Sequence, residues 1–354
     1  MSPLVKHETR EKQGHIGGRT GAATEARLAE LITEDLARVE ALFARELTSD
    51  LPNVNELVTH VGKFRGKMLR PMLVLLSGLA AGVDESRPNG DEPLGVEHIT
   101  AASVVEMVHM ATLVHDDILD GADVRRKGAT INHLHGNEAA VLLGDFLISH
   151  AYHLCSSLDS QAASRHIAHA TNIVCEGELL QNYNRGNWRL DEETYYTIIY
   201  RKTAALTEVC CRLGAMFSTH KRARVEALAH YGRQVGLAFQ IVDDILDICG
   251  QTKTVGKSLG TDIEKGKLTL PLIHFLQHAA PQHRELLMGL LESTEHDRVE
   301  HVRQLVAPSE SIQFARREAE RLIAEAIEAL AILPESPARG ALVEAARYVT
   351  ARER

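Results

Sequence analysis

The sequence predicts an all-α protein, a single large helical bundle packed around a central cavity. Three observations carry this. Ala and Leu are abundant while aromatic residues make up only 4% of the 354 positions, which favours helices over sandwiches or barrels. Apolar residues recur at intervals of three and four through almost the whole chain, the period of a helix with one buried face. No window shows sustained period-two alternation, the mark of a half-buried strand. At 44% hydrophobic and 25% charged, the chain has ample material for such a core.

Residues 1–23 are polar, Gly-rich and aperiodic, and read as a loose tail before one domain spanning 24–354. From Thr24, the residues Leu28, Leu31, Ile32, Leu36, Val39, Leu42 and Phe43 mark one face of an amphipathic helix. The longest apolar stretch, 71–83, contains Ser and Gly and is too short to span a bilayer. Segment 84–94 is a turn-rich loop, 121–132 a basic glycine-containing loop and 250–261 a Gly/Lys/Thr loop. Pro308-Ser309 separates the last helices. A net charge of −9 with so few aromatics argues against a nucleic-acid partner. The five cysteines are odd in number, form no CxxC pair and sit in apolar helical contexts. They read as buried reduced thiols rather than a disulfide framework or zinc site. With no apolar signal region at the N-terminus, the expected compartment is the cytoplasm.

Chemistry first shows at His115-Asp116-Asp117-Ile118-Leu119-Asp120. Residues four apart share a helix face, so Asp116 and Asp120 point the same way. The helix upstream is largely apolar, and carboxylates stacked on it repel unless cations neutralise them. Hard divalent cations answer that need, and magnesium keeps positions open for substrate phosphates. The pattern returns at Asp243-Asp244-Ile245-Leu246-Asp247. One DDxxD in an acidic chain is an ordinary exposed face; two copies spelled DDILD, both in apolar helix, are hard to dismiss. Basic residues flank them: Arg65-Gly66-Lys67-Met68-Leu69-Arg70-Pro71, Arg125-Arg126-Lys127, Lys202-Thr203 and Lys257. Arginine suits phosphate because its planar fork donates two parallel hydrogen bonds.

With these residues on view, the chain resembles the trans-isoprenyl (polyprenyl) diphosphate synthase family from about Leu28 to the C-terminus, with the motifs in the family's order. That implies a helical fold of the isoprenoid synthase type. Gly66-Lys67-x-x-Arg70-Pro71 looks like the GKxxRP segment, so Lys67 and Arg70, assisted by His109, would grip isopentenyl diphosphate. Asp116, Asp117 and Asp120 match the first aspartate-rich motif and Asp243, Asp244 and Asp247 the second. The implied metal ligands are Asp116, Asp120, Asp243, Asp244 and Asp247. Arg125 would touch the allylic diphosphate and Arg126 the isopentenyl one, while Lys202, Thr203, Gln240 and Lys257 match further allylic-side positions. The run from Gly256-Lys257 through Gly260, Asp262, Gly266-Lys267 and Thr269-Leu270-Pro271 is a long, specific match. One departure stands out: where the family often writes GGKRxRP, this chain has Arg65 for the first Gly and Met68 for the middle basic residue.

The resemblance implies three Mg2+ ions on an allylic diphosphate, ionisation to an allylic cation, attack by the double bond of isopentenyl diphosphate, and proton loss to the departing diphosphate. Asp116, Asp117, Asp120, Lys202, Asp243 and Lys257 would carry that chemistry. It also implies a homodimer, with a transient membrane contact for product release. The growing hydrocarbon should run beside the first-motif helix, past Met107, Val108, Ala111 and Thr112, and short-chain members block that route with a bulky aromatic. Ala111 and Thr112 are small, so an all-trans product longer than farnesyl is expected, with Phe146 and Tyr152 as candidates for a deeper floor. Glu176, Glu178 and Gln181 are weaker candidates for lining the cavity. The rival readings are a short-chain farnesyl or geranylgeranyl synthase, a terpene cyclase, which generally lacks the second DDxxD, and a non-catalytic partner subunit, which tends to lose the aspartates.

Overall fold

The computed structural model describes residues 30–62, 66–85, 93–125, 128–250 and 259–352. The expected tail, Arg65, Arg126 and Lys257 lie outside them. The early helices are α1 (Thr33–Glu46), α2 (Pro52–Gly62), α3 (Leu69–Ala81) and α4 (Val96–Leu119). After a two-residue hairpin, β1 (Val124–Arg125) and β2 (Gly128–Ala129), come α5 (Ile131–Cys155), α6 (Gln161–Tyr183) and α7 (Glu192–Ile199). A single π-helical turn, Tyr200–Ala204, leads into α8 (Ala205–Ser218) and then α9 (Arg222–Cys249). The C-terminal half adds α10 (Thr261–Glu264), α11 (Leu270–His278), α12 (Pro281–Glu292), α13 (Arg298–Val306), α14 (Glu310–Ala329) and α15 (Pro337–Ala351).

Buried side chains from α1 to α15 join in one apolar cluster. In α1, Val39 and Phe43 are buried as its periodicity requires, whereas Leu31, just before it, is exposed. Helix α3, the apolar stretch of the sequence, is buried almost all round, as expected of a central helix. It lies so close to α8 that a Cβ on Gly214 would stand 2.0 Å from the Val74 carbonyl oxygen. The Ser309 hydroxyl accepts the Ser311 N–H and starts α14 just beyond Pro308. Where a basic loop was expected at 121–132, the chain instead pairs Val124 with Ala129 and starts α5 at Ile131. Thr130 caps that helix by accepting the His133 N–H, a local signal that overrides the loop composition. Two thiol expectations fail: Cys175 is exposed on the outer side of α6, and Cys249 is half-buried. Among the described residues no helix is long and apolar enough to cross a membrane.

What positions the site is the pair of long helices α4 and α9, of 24 and 28 residues. Each carries one DDILD motif at its C-terminal end. Gly236 lets α9 lie against the π turn, since a Cβ there would meet the Ala204 Cα at 2.6 Å. The motifs thus occupy the negative poles of two helix dipoles, where carboxylates are disfavoured and cations favoured.

Candidate active site

One cavity of about 650 Å³ collects both motifs. Asp116, Asp117 and Asp120 line it together with Asp243, Asp244 and Asp247, so the two acidic faces share one space. Arg125, Lys202 and Gln240 line it as well, and the Thr203 hydroxyl donates to Gln240 Oε1 at 2.9 Å. The remaining walls include Leu113, Leu190, Ile198, Ile199 and Leu268, an apolar lining beside the acidic end.

Within each motif the middle aspartate is the buried one, 7% exposed at Asp117 and 2% at Asp244, while its neighbours stand half-open. Asp117 accepts a forked pair from Arg125, at 2.8 Å from both Nε and Nη2. Burial raises its carboxyl above the usual range although Arg125 opposes this. Burial would also raise Asp120, but Lys267 and Lys265, at 3.3 and 3.1 Å, overcome it and hold the carboxyl low. Arg185 adds a third cation at 3.3 Å from Asp120. Lys202 Nζ pairs with Glu178, donates to Gln181 Oε1 at 3.0 Å and lies 3.9 Å from Asp116. Burial works against its charge, yet Asp116 and Glu178 more than offset that and keep the ammonium above its ordinary range. Glu178 itself is raised by burial and by Asp116.

The second motif is held by neutral donors. Tyr195 gives its phenolic hydrogen to Asp244 Oδ2 at 2.6 Å, and Gln240 Nε2 donates to Oδ1 at 2.9 Å. Burial, then the charge of Asp262, pushes the Asp244 carboxyl well up. Asp247 accepts the Thr261 and Asp262 backbone N–H groups at 3.1 Å each. It is nevertheless pushed up to about 6, by burial first and Asp262 second. Asp243 pairs with Arg352 at 3.2 Å, just past the last helix, and that guanidinium also lies 4.7 Å over the Phe239 ring.

The donor set suits divalent cations. Among the described residues the cavity walls bring seven aspartates, the two motifs plus Asp262, against four cations, Arg125, Lys202, Lys265 and Lys267. The carboxyl groups thus outnumber the cations, and six of the seven lie at the C-terminal ends of two helices. No three acidic, imidazole or thiol groups converge on one metal position among the described residues. Carboxylates that face each other without converging leave room for ligands that the substrate itself would supply.

Other expected residues stand apart from this cavity. Lys67 is exposed, Arg70 and His109 are half-buried, and none of them is among its walls. Met68 between the two basic residues holds a left-handed backbone, φ 54°, immediately before α3. Met107, Val108 and Ala111 are fully buried and Thr112 half-buried; these lie on packed faces of α4, and Leu113 is the residue of that stretch that reaches the cavity. Phe146 is partly buried and lies 4.3 Å from the His150 ring, but Tyr152 faces outward. Six residues apart on a helix, the two point in different directions. Of the weaker candidates, Gln181 and Glu178 meet Lys202, whereas Glu176 binds Arg201. Sequence reading assigned no role to Tyr195, Arg185, Asp262, Lys265, Lys267 or Arg352. Asp262, Lys265 and Lys267 lie within the family-like run from Gly256 to Pro271; Tyr195, Arg185 and Arg352 carry no local signal.

Residues 52–308 match the family model for polyprenyl synthetase. The chain belongs to the polyprenyl synthetase family. It is 34% identical over 329 residues to octaprenyl diphosphate synthase of Escherichia coli, covering 93% of this chain and 99% of that one. It is also 34% identical to the geranyl-diphosphate-specific all-trans-nonaprenyl-diphosphate synthase of Rhodobacter capsulatus, over 91% and 96% of the two chains. The solved polyprenyl synthase of Caulobacter crescentus, in complex with calcium and isoprenyl diphosphate, superposes with a TM-score of 0.84 at 33% identity, over 93% and 98%. A decaprenyl diphosphate synthase from Rhodobacter capsulatus superposes at 0.85 and 33%, over 93% and 99%. The helical fold and prenyltransferase class expected from the motifs are those of the family.

Proposed function

We propose that this prenyltransferase joins an allylic diphosphate head to tail with isopentenyl diphosphate and releases an all-trans polyprenyl diphosphate longer than farnesyl. The observation that carries the reading is the shared cavity, in which two carboxylate triads face each other with Lys202 beside them and an apolar wall behind. The half-open aspartates Asp116, Asp120, Asp243 and Asp247 would hold divalent metal, proposed as three Mg2+ ions, in keeping with the calcium in the related Caulobacter complex. Bound there, the metal supplies Lewis-acid neutralisation of the departing diphosphate.

The chain's own residues do the rest. Lys202 turns its ammonium toward the departing oxygens, a preorganised donor where negative charge grows. Thr203 and Gln240 fix the orientation of that end of the substrate, with Arg125, Arg126 and Lys257 as further cationic partners. Lys67, Arg70 and His109 would hold isopentenyl diphosphate. Leu113, Leu190, Ile198 and Ile199 keep water from the allylic cation. No side chain is needed as base, because the departing diphosphate takes the proton. The hydrocarbon then leaves along α4 past Leu113, toward Thr112, Ala111, Val108 and Met107.

The octaprenyl and nonaprenyl relatives support a long product. A homodimer is proposed, supported by apolar side chains exposed along α5 and α6, among them Leu134, Leu142, Leu179 and Tyr183. A transient membrane contact would take up a product too apolar for water. Residues 24–354 would act as one catalytic unit in the cytoplasm, where thiols stay reduced.

Product analysis tests the proposal. Purified protein, Mg2+, labelled isopentenyl diphosphate and geranyl or farnesyl diphosphate should yield chains beyond fifteen carbons. A sharp stop at fifteen overturns the long-chain assignment. Diphosphate release that does not depend on isopentenyl diphosphate overturns the condensation.

A further inference from the structure

The two motifs are spelled alike, yet Asp244 is set apart from the residues on either side of it. It is 2% exposed, and both its oxygens already accept hydrogen bonds within the protein, from Tyr195 and from Gln240. Tyr195 is itself 3% exposed, on α7, directly before the π turn that carries Lys202. Gln240 in turn accepts from Thr203 on that turn. One unbroken hydrogen-bonded chain therefore runs Thr203, Gln240, Asp244, Tyr195, and ties the turn bearing the leaving-group lysine to the helix bearing the second triad.

We propose that Tyr195 is a positioning residue, which holds Asp244 as a buried anchor so that Asp243 and Asp247 present their oxygens to the cavity at a fixed distance from Lys202. The inference rests on the reading of the cavity as the diphosphate and metal site, and removes Asp244 from the expected ligands. The physical reason is the cost of opening the network. A buried carboxylate that has lost one partner keeps its desolvation penalty without the compensating bond. Turning Asp244 outward to a metal would strand both the Tyr195 hydroxyl and the Gln240 amide. Asp243 and Asp247, one residue before and three after, have partners too, Arg352 and two backbone N–H groups, but they stand half-open, so a ligand can reach them without that rearrangement.

Two near-isosteric changes separate anchor from ligand. Asp244→Asn keeps both hydrogen bonds, since its amide nitrogen can donate to the Tyr195 oxygen while its oxygen still accepts from Gln240. Only the charge is lost. Tyr195→Phe keeps the carboxyl group and deletes a bond. Steady-state assays titrated with Mg2+ are run on both, on the wild type and on Asp243→Asn, with thermal melting as a check on folding. Supporting parts around metal sites typically matter by about 10–100-fold. Tyr195→Phe is accordingly expected to raise the half-saturating Mg2+ concentration and lower kcat by about ten-fold. Asp244→Asn should lose at least about ten-fold less activity than Asp243→Asn, because its hydrogen bonds persist.

An Asp244→Asn enzyme as impaired as Asp243→Asn overturns the inference, whatever Tyr195→Phe does, and decides the matter alone if the Phe variant does not fold. A Tyr195→Phe enzyme with wild-type kcat and Mg2+ dependence overturns it equally. Full activity in Asp243→Asn, by contrast, overturns the reading of the cavity itself.

Discussion

Two acidic triads of identical spelling sit in opposite electrostatic surroundings. The first is met by cations: Arg125 on Asp117, Lys202 near Asp116, and Lys265, Lys267 and Arg185 around Asp120. The second is met mainly by neutral donors, namely Tyr195, Gln240 and two backbone N–H groups, with Arg352 paired to Asp243. The consequence shows in the last aspartate of each motif, where Asp120 is held low while Asp247 is pushed up to about 6. Sequence identity at five positions therefore does not mean equal roles. The first triad is already met by cations of the protein, whereas the second has few of its own and is the one that an added cation would change most.

The largest test of that contrast removes an open carboxylate from each side. Asp116→Asn and Asp243→Asn should each lower kcat by at least about a thousand-fold, since several kcal/mol of leaving-group stabilisation is at stake. Chelation of divalent metal should abolish turnover of the wild type. Thermal melting titrated with Mg2+ should then show a weaker metal-induced rise in Asp243→Asn than in Asp116→Asn, because the second triad has less cationic compensation of its own. An equal response would break the comparison. Lys202→Met comes next, with kcat expected to fall by about 10²–10³-fold on loss of one preorganised donor. Its KM for isopentenyl diphosphate should stay close to wild type in the same steady-state assay.

Arg125→Gln probes the balanced side through stability. It leaves Asp117 buried without its fork, and charged hydrogen bonds of this kind contribute about 2–3 kcal/mol, readable as a lowered denaturant midpoint at constant slope. Ala111→Phe acts further up the same helix. If the hydrocarbon follows α4, the mean product length read by chromatography should shorten. Since Ala111 is fully buried, the extra volume should also cost about 1–3 kcal/mol. Destabilisation with unchanged length would show that the route lies elsewhere.

The legible part of this molecule is what its sequence repeats or clusters. Both DDILD motifs, Lys202-Thr203, Gln240 and the helical period are local patterns, and the structure gathers them as their chemistry requires. The illegible part depends on partners far apart in the chain. Tyr195 reaches Asp244 across 49 positions and Lys267 reaches Asp120 across 147, spacings that no window can contain. The π turn is similarly hidden: Tyr200–Ala204 reads as ordinary helix, and its extra residue follows from the close approach of α9 at Gly236. The chain-length residues illustrate a third limit. The resemblance puts Met107, Val108, Ala111 and Thr112 along the hydrocarbon's route, but helical periodicity does not say which of α4's faces is packed and which is open.

The smallest expected effect concerns Arg352, and it bears most directly on the contrast between the triads. Its guanidinium pairs with Asp243 while about a third of its side chain stays exposed, and exposed pairs of this kind contribute below about 1 kcal/mol. Arg352→Ala should therefore leave the melting temperature almost unchanged. If Arg352 merely competes with metal for Asp243, its removal should lower the half-saturating Mg2+ concentration by a few-fold, within the about five-fold that 1 kcal/mol allows. If it instead serves the substrate, the Mg2+ dependence should stay put and KM for the allylic diphosphate should rise. The first outcome leaves the second triad as a site the protein only loosely compensates; the second would make Arg352 part of the cationic frame and narrow the difference between the two motifs.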